Sequence, residues 1–199
     1  MLSIQEANEA LARLANKEKF EKMLHAAAII TDVLMQQNIK PIIVGDLSVE
    51  IYTLSGYSTE DIDFVLSGYD KAGETLTLLG FRKVGRSWLH PAVGISVEVP
   101  SNHLAGDHDK ITELQVGNEL VYIIGLEDII LDRLRKDVHW SSARDREWGY
   151  RLLLMYLERL DLSYMNGLFE TKSESAEFQI WLEQARQEKA IDIKSSGGL

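Results

Sequence analysis

"PIIVGDLSVEIYTLSGYSTEDIDFVLSG", residues 41–68, opens as a short apolar run, breaks at Gly45 and ends in two aspartates separated by one isoleucine. The run "IIV" is β-branched and bounded by Pro41 and Gly45, which reads as a central strand. In "LSVEIYTLS", Leu47, Ile51 and Leu54 recur on one helical face, with Val49 and Tyr52 beside it. Gly56, Ser58 and Thr59 give the connection to a second strand, "DIDFVL". Side chains two apart on a strand share a face. Asp61 and Asp63 therefore point the same way, and two carboxylates so placed repel unless a cation lies between them.

The periodicity on either side differs. Leu11 and Leu14, then Phe20, Met23, Leu24, Ala27, Ala28, Thr31 and Leu34, recur at three- and four-residue steps, so residues 1–40 read as two helices closed at Asn38. After the second strand, "KAGETLTLLG" reads as a helix ended by Gly80. Strands are expected at "FRKVG", "SWLHP" and "GISVEVP", and at "ELQVG" and "LVYIIG", the last two joined by a Gly117-Asn118 hairpin turn. Beyond Gly125 the pattern is helical, through "LEDIILDRLRKDV", "ARDREWGYRLLLMYLERL" and "SAEFQIWLEQARQEKA". The fold class is thus α/β of the α+β kind, a mixed sheet flanked by N- and C-terminal helices. The expected organisation is helices over 1–40, an α/β core over 41–125, a helical region over 126–190, and a polar, Gly-rich tail over 191–199 that frays.

Composition narrows the chemistry. The chain has 199 residues, of which 45% are hydrophobic, as in an ordinary globular protein. It has no cysteine, which excludes disulfides, thiolate metal sites and thiol catalysis and is compatible with a reducing cytoplasm. No basic start followed by an apolar run occurs, and no segment reaches ~20 apolar residues. Neither export nor membrane contact is expected. The net charge of −10 argues against a broad, nonspecific grip on nucleic acid. Positive charge concentrates locally in "RLRKDVHWSSARDR", which includes Arg133, Arg135, Lys136, Arg144 and Arg146.

A strand entering a helix leaves N–H groups free at the helix start, and with the helix dipole these favour an anion. Carboxylates beside that point suit magnesium bridging to a nucleotide's phosphates. A third acid from another strand would complete the set. Glu98 alternates with Val97 and Val99 in "GISVEVP" and is the leading choice, with Glu113 as its rival. This order of glycine, short helix, Asp-hydrophobic-Asp and a lone later acid resembles the nucleotidyltransferase superfamily related to DNA polymerase beta. "VGDLSVEIYTLSGYSTEDIDFVL" is similar, more narrowly, to the small prokaryotic nucleotidyltransferases, including the AbiEii-type toxin group.

The resemblance implies Asp61 and Asp63 as ligands of Mg2+ or Mn2+ and Glu98 as the third acid, which activates an acceptor hydroxyl. It also implies a nucleoside triphosphate as substrate, with its phosphates cradled by the Gly45 turn and Ser48. The acceptor would be a small molecule, a protein or a tRNA, and a toxin would have an antitoxin partner. "LEDIILDRLRKDVHWSSARDREW" is similar to the helical follow-on of these proteins, which places Arg133, Arg144 and Asp145 at its basic and Arg-Asp positions, the arginines facing phosphate or acceptor. The chain departs from them at Asp46, where a second glycine or a serine is usual. Asp46 either caps the following helix or joins the cofactor shell. A catalytically silent relative that binds nucleotide or a partner is the alternative reading.

Other groupings carry less. "HLAGDHD" gathers His103, Asp107, His108 and Asp109 in a loop without enforced geometry. Arg133 and His139 meet the loose spacing of HEPN ribonucleases, with nothing else in support. His25 and the four tryptophans are read as structural or packing residues.

Overall fold

The computed structural model describes residues 1–196, with side chains as far as Ile191. The chain divides into two compact units, Met1–Gly125 and the segment from Leu126 onward.

In the first unit α1 (Ile4–Ala12) and α2 (Lys19–Met35) precede the sheet. A capping box at Ser3 and Glu6 starts α1, since each satisfies a backbone N–H of the other. Residues Ala26 to Thr31 are all buried, so α2 is covered on more than the one face its periodicity marks. The small alanines permit this close approach. Asn38 at φ 59° turns the chain after α2, a conformation asparagine tolerates.

Among the described residues seven strands form one mixed sheet, in the order β3-β4-β5-β2-β1-β7-β6. They are β1 (Ile42–Val44), β2 (Asp61–Val65), β3 (Arg82–Val84), β4 (Ser87–His90), β5 (Ile95–Ser101), β6 (Thr112–Val116) and β7 (Glu119–Ile123). The central strand β1 pairs antiparallel to β2 and parallel to β7, while β2 pairs parallel to β5. The hairpin β6-β7 turns at Gly117, φ 62°. Helix α4 (Tyr69–Leu78) follows β2 and ends before Gly80, φ 83°. Trp88 lies against Gly73 so closely that a Cβ there would come within 2.7 Å of its ring.

Between β1 and β2, α3 (Gly45–Tyr52) begins directly where the strand ends. It stops sooner than its apolar pattern predicts. Leu54 is exposed at φ 51°, whereas Glu50 is buried. The Thr53 hydroxyl turns back to donate to the Val49 carbonyl at 2.8 Å, and the Thr59 N–H donates to Glu50 Oε2 at 3.1 Å. The buried carboxylate thus holds Thr59, in the connection read at Gly56, Ser58 and Thr59, and Tyr57 and Thr59 are buried with it. Burial holds the Glu50 carboxyl above its ordinary pKa, only partly offset by the Thr59 N–H and by Lys19.

The second unit contains α5 (Leu126–Trp140), α6 (Ala143–Tyr156), α7 (Leu162–Gly167) and α8 (Lys172–Ser196). Trp181 and Phe178 are fully buried in its core. Gly149 makes room for Trp181, since a Cβ there would stand 2.7 Å from the indole and 2.8 Å from Arg133 Cβ. Helix α8 runs on to Ser196, into the segment read as a tail over 191–199, of which residues 197–199 lie outside the described residues. No described helix is long and apolar enough to cross a membrane.

Candidate active site

The site is built on β2 and β5. Asp61 and Asp63 project from one face of β2, while Ile62 and Phe64 are buried on the other, as strand alternation requires. The parallel register sets Asp63 opposite Glu98 and Asp61 opposite Ser96. One carboxylate oxygen each from Asp61, Asp63 and Glu98 then lies within 4.8 Å of the others. Glu113 is on β6, three strands from β2 at the sheet's far edge, and takes no part.

Burial holds the Asp61 carboxyl above its ordinary pKa, and the negative charges of Glu98 and then Asp46 push it further in the same direction. Three half-buried carboxylates so close repel, and an all-oxygen donor set of this kind suits a hard divalent ion. A divalent cation fits the residues present. Gly45 is the close neighbour of the set. At φ 63° it occupies a conformation that favours glycine, and a Cβ added to it would overlap Asp63 Oδ2. The start of α3 can therefore approach β2 only because residue 45 has no side chain.

The other expected contacts fall differently. Asp46 does not cap α3: the N-cap is Val44, with no side-chain hydrogen bond, and Asp46 lies in the first turn, where its charge acts on Asp61. Because α3 begins directly after β1, the cap falls on the last strand residue. Ser48 is fully buried, and its Oγ donates to the Gly45 carbonyl at 2.7 Å, so its hydroxyl is used within the helix rather than offered to a phosphate. Arg133 is buried as well, with Nη1 2.7 Å from Asp145 Oδ1 and Nε 3.6 Å from Asp132. Its guanidinium is thus engaged by carboxylates of its own helical unit. Burial opposes ionisation of Asp145, but the Ser142 hydroxyl and the Arg133 guanidinium outweigh it and hold its pKa low. Arg144 is exposed at the start of α6.

His139 Nε2 lies 2.8 Å from the buried Glu174 Oε1, so it and Arg133 each hold a different carboxylate. Asp107 caps a short 3-10 turn through the Asp109 N–H, and no cluster of three or more ligating side chains involves this loop among the described residues.

Two residues at the site were missed. Ser87 Oγ donates to Glu98 Oε1 at 2.5 Å, and Arg86 Nε stands 3.2 Å from Glu98 Oε2. The sequence "GRS" marks a turn between two strands, but only the pairing of Ser87 with Glu98 across β4 and β5 brings that turn onto the acid.

No protein-family model matches the chain, and neither does any curated protein sequence. Solved structures do. A nucleotidyltransferase-like antigenic protein from Paracoccidioides brasiliensis is 17% identical, with 94% of this chain and 91% of that one covered at a TM-score of 0.53. The fold is that of the nucleotidyltransferases. ANT(2'')-Ia, solved in complex with adenylyl-2''-tobramycin, is 13% identical, with 86% of this chain and 99% of that one covered at a TM-score of 0.51. The likeness thus runs through the nucleotidyltransferase-like core and the helices that follow it.

Proposed function

We propose that the protein is an enzyme that transfers a nucleoside monophosphate from a nucleoside triphosphate to an acceptor hydroxyl, using Mg2+ or Mn2+. One observation carries the reading: Asp61, Asp63 and Glu98 converge on a nucleotidyltransferase fold with ligand oxygens within 4.8 Å. When bound there, a divalent cation supplies positive charge against the triphosphate and the pyrophosphate that leaves. Asp61 and Asp63 hold the site, and their placement on one strand fixes the spacing of their oxygens. The uncapped N–H groups at the start of α3, held beside Asp63 by the bare Gly45, would receive the phosphates. Glu98 takes the proton of the acceptor hydroxyl as its oxygen bonds to the α-phosphorus. The bond from the α-phosphorus to the bridging oxygen breaks, and pyrophosphate carries away that electron pair.

The acceptor is proposed to be a hydroxyl-bearing small molecule, by analogy with the adenylylated tobramycin bound to ANT(2'')-Ia. A panel of small-molecule, protein and tRNA acceptors with each labelled nucleoside triphosphate tests this. Transfer to one acceptor, with pyrophosphate released only when Mg2+ or Mn2+ is present, is the expected result. The Asp61→Asn, Asp63→Asn double variant should lose it while keeping its far-UV spectrum, and unchanged turnover in that variant would sink the mechanism. Growth arrest on expression, relieved by an antitoxin partner, would add the toxin role that the sequence resemblance implies.

The alternative is a silent nucleotide-binding relative. Asp46 favours it, because a further negative charge acts on Asp61 at the point where a triphosphate would lie. Nucleotide binding without pyrophosphate release across the panel would select it.

A further inference from the structure

Glu98 reaches Asp61 and Asp63 with other partners already on it. Both of its carboxylate oxygens are engaged by consecutive residues of the β3-β4 hairpin, Ser87 at 2.5 Å and Arg86 at 3.2 Å. Ser87 faces Glu98 across the β4-β5 ladder, so its hydrogen bond follows from the register. Arg86 differs. It sits in the turn between the two strands, next to Gly85 at φ 63°, and its side chain is 88% exposed while that of Glu98 is 16% exposed. An exposed guanidinium can leave for water at small cost.

The three carboxylates repel one another, and Arg86 brings a positive charge onto the one that lies on β5. The geometry points to Arg86 as a built-in competitor for the divalent cation. It occupies Glu98 Oε2 until the cation binds, and must leave for Glu98 to serve as third ligand and proton acceptor. Binding of the cation thus has to displace the Arg86 charge from Glu98. Ser87 keeps the carboxylate oriented meanwhile, which makes Arg86 a positioning residue that acts through Glu98. This inference rests on the cation-site reading above.

Lys83 provides a control from the same hairpin, since its ammonium lies 5.1 Å from the centre of the Tyr69 ring and 5.4 Å from that of Trp88. Mn2+ is titrated calorimetrically, without nucleotide, into the wild type, Arg86→Ala, Lys83→Ala and the Asp61→Asn, Asp63→Asn double variant. An exposed ion pair of ordinary strength predicts that Arg86→Ala binds Mn2+ about two- to fivefold more tightly. Lys83→Ala should match the wild type, and the double variant should not bind. Equal tightening by Lys83→Ala would reduce the effect to general electrostatics and overturn the inference. So would unchanged or weaker binding by Arg86→Ala while the double variant still loses the cation, an outcome that leaves the cation site standing. Wild-type binding by the double variant would instead remove the cation site, and this inference with it. In 15N-arginine-labelled protein, Mg2+ should move the Arg86 Nε–H resonance and leave that of Arg82 in place. A stationary Arg86 resonance at saturating Mg2+ would equally overturn the inference.

Discussion

Replacing Gly45 by alanine separates two effects that the structure combines at one residue. Gly45 lies at φ 63°, and an added Cβ would overlap Asp63 Oδ2 and stand 3.2 Å from Asp63 Cγ. Gly94, at φ 69°, has nothing within 4 Å of the corresponding point, so it reports the backbone term alone. Left-handed strain costs about 1–2 kcal/mol, and the less flexible unfolded chain returns about 0.4–1 kcal/mol of it. Gly94→Ala is therefore expected to lose about 1 kcal/mol. Gly45→Ala adds an overpacking cost of about 1–3 kcal/mol, for a total of roughly 2–4 kcal/mol. The excess is expected to appear in function too, because the cheapest relief is to push the Asp63 carboxylate out of line with Asp61 and Glu98. Urea unfolding gives both stabilities, and Mn2+ titration gives the affinity, which should fall about tenfold or more in Gly45→Ala for a displaced ligand worth ~1.4 kcal/mol, and not change in Gly94→Ala. Equal destabilisation of the two variants with unchanged Mn2+ affinity in both would refute the reasoning.

Gly149→Ala would set a Cβ 2.7 Å from the fully buried Trp181 ring and 2.8 Å from Arg133 Cβ, so about 1–3 kcal/mol of stability should be lost, read by tryptophan fluorescence during urea unfolding. A loss below 0.5 kcal/mol, on the order of a surface substitution, would mean that the helices separate there without cost. Glu50 is an acid whose folded pKa is raised by burial, so the folded state binds more protons than the unfolded one between the two pKa values. Stability contributed by Glu50 should thus fall as pH rises from about 4 through the raised pKa, with the penalty fully present above it. Glu50→Gln keeps an acceptor for the Thr59 N–H and should flatten this slope in urea unfolding measured from pH 4 to 8. An unchanged slope would place the titration elsewhere.

Much of the architecture was legible because it is locally encoded. Alternation across Asp61, Ile62, Asp63 and Phe64 requires only strand geometry, and the glycines at 80 and 117 end their elements through φ values that other residues resist. Legibility failed where a distant group decided the outcome. Leu54 fits the apolar face of α3, yet Glu50 is buried while Leu54 is exposed, because Thr59, nine residues away, offers its N–H to the carboxylate. Ser48 and Arg133 have the chemistry of phosphate ligands, but both are buried against partners within their own units. Asp46 read as a cap because Asp is a favoured capping residue, whereas β1 passes into α3 one residue before the expected cap.

The sequence by itself determined the order of elements, the shared face of Asp61 and Asp63 and the small residue beside them, since each depends on neighbours along the chain. Tertiary structure alone decided which later acid meets that pair and which cation holds it. The parallel register of β2 with β5 places Glu98 opposite Asp63, and the antiparallel β4-β5 ladder carries Arg86 and Ser87 to Glu98. Strand order is a property of long-range pairing, and side-chain alternation within a strand specifies the face of a carboxylate without specifying the strand beside it.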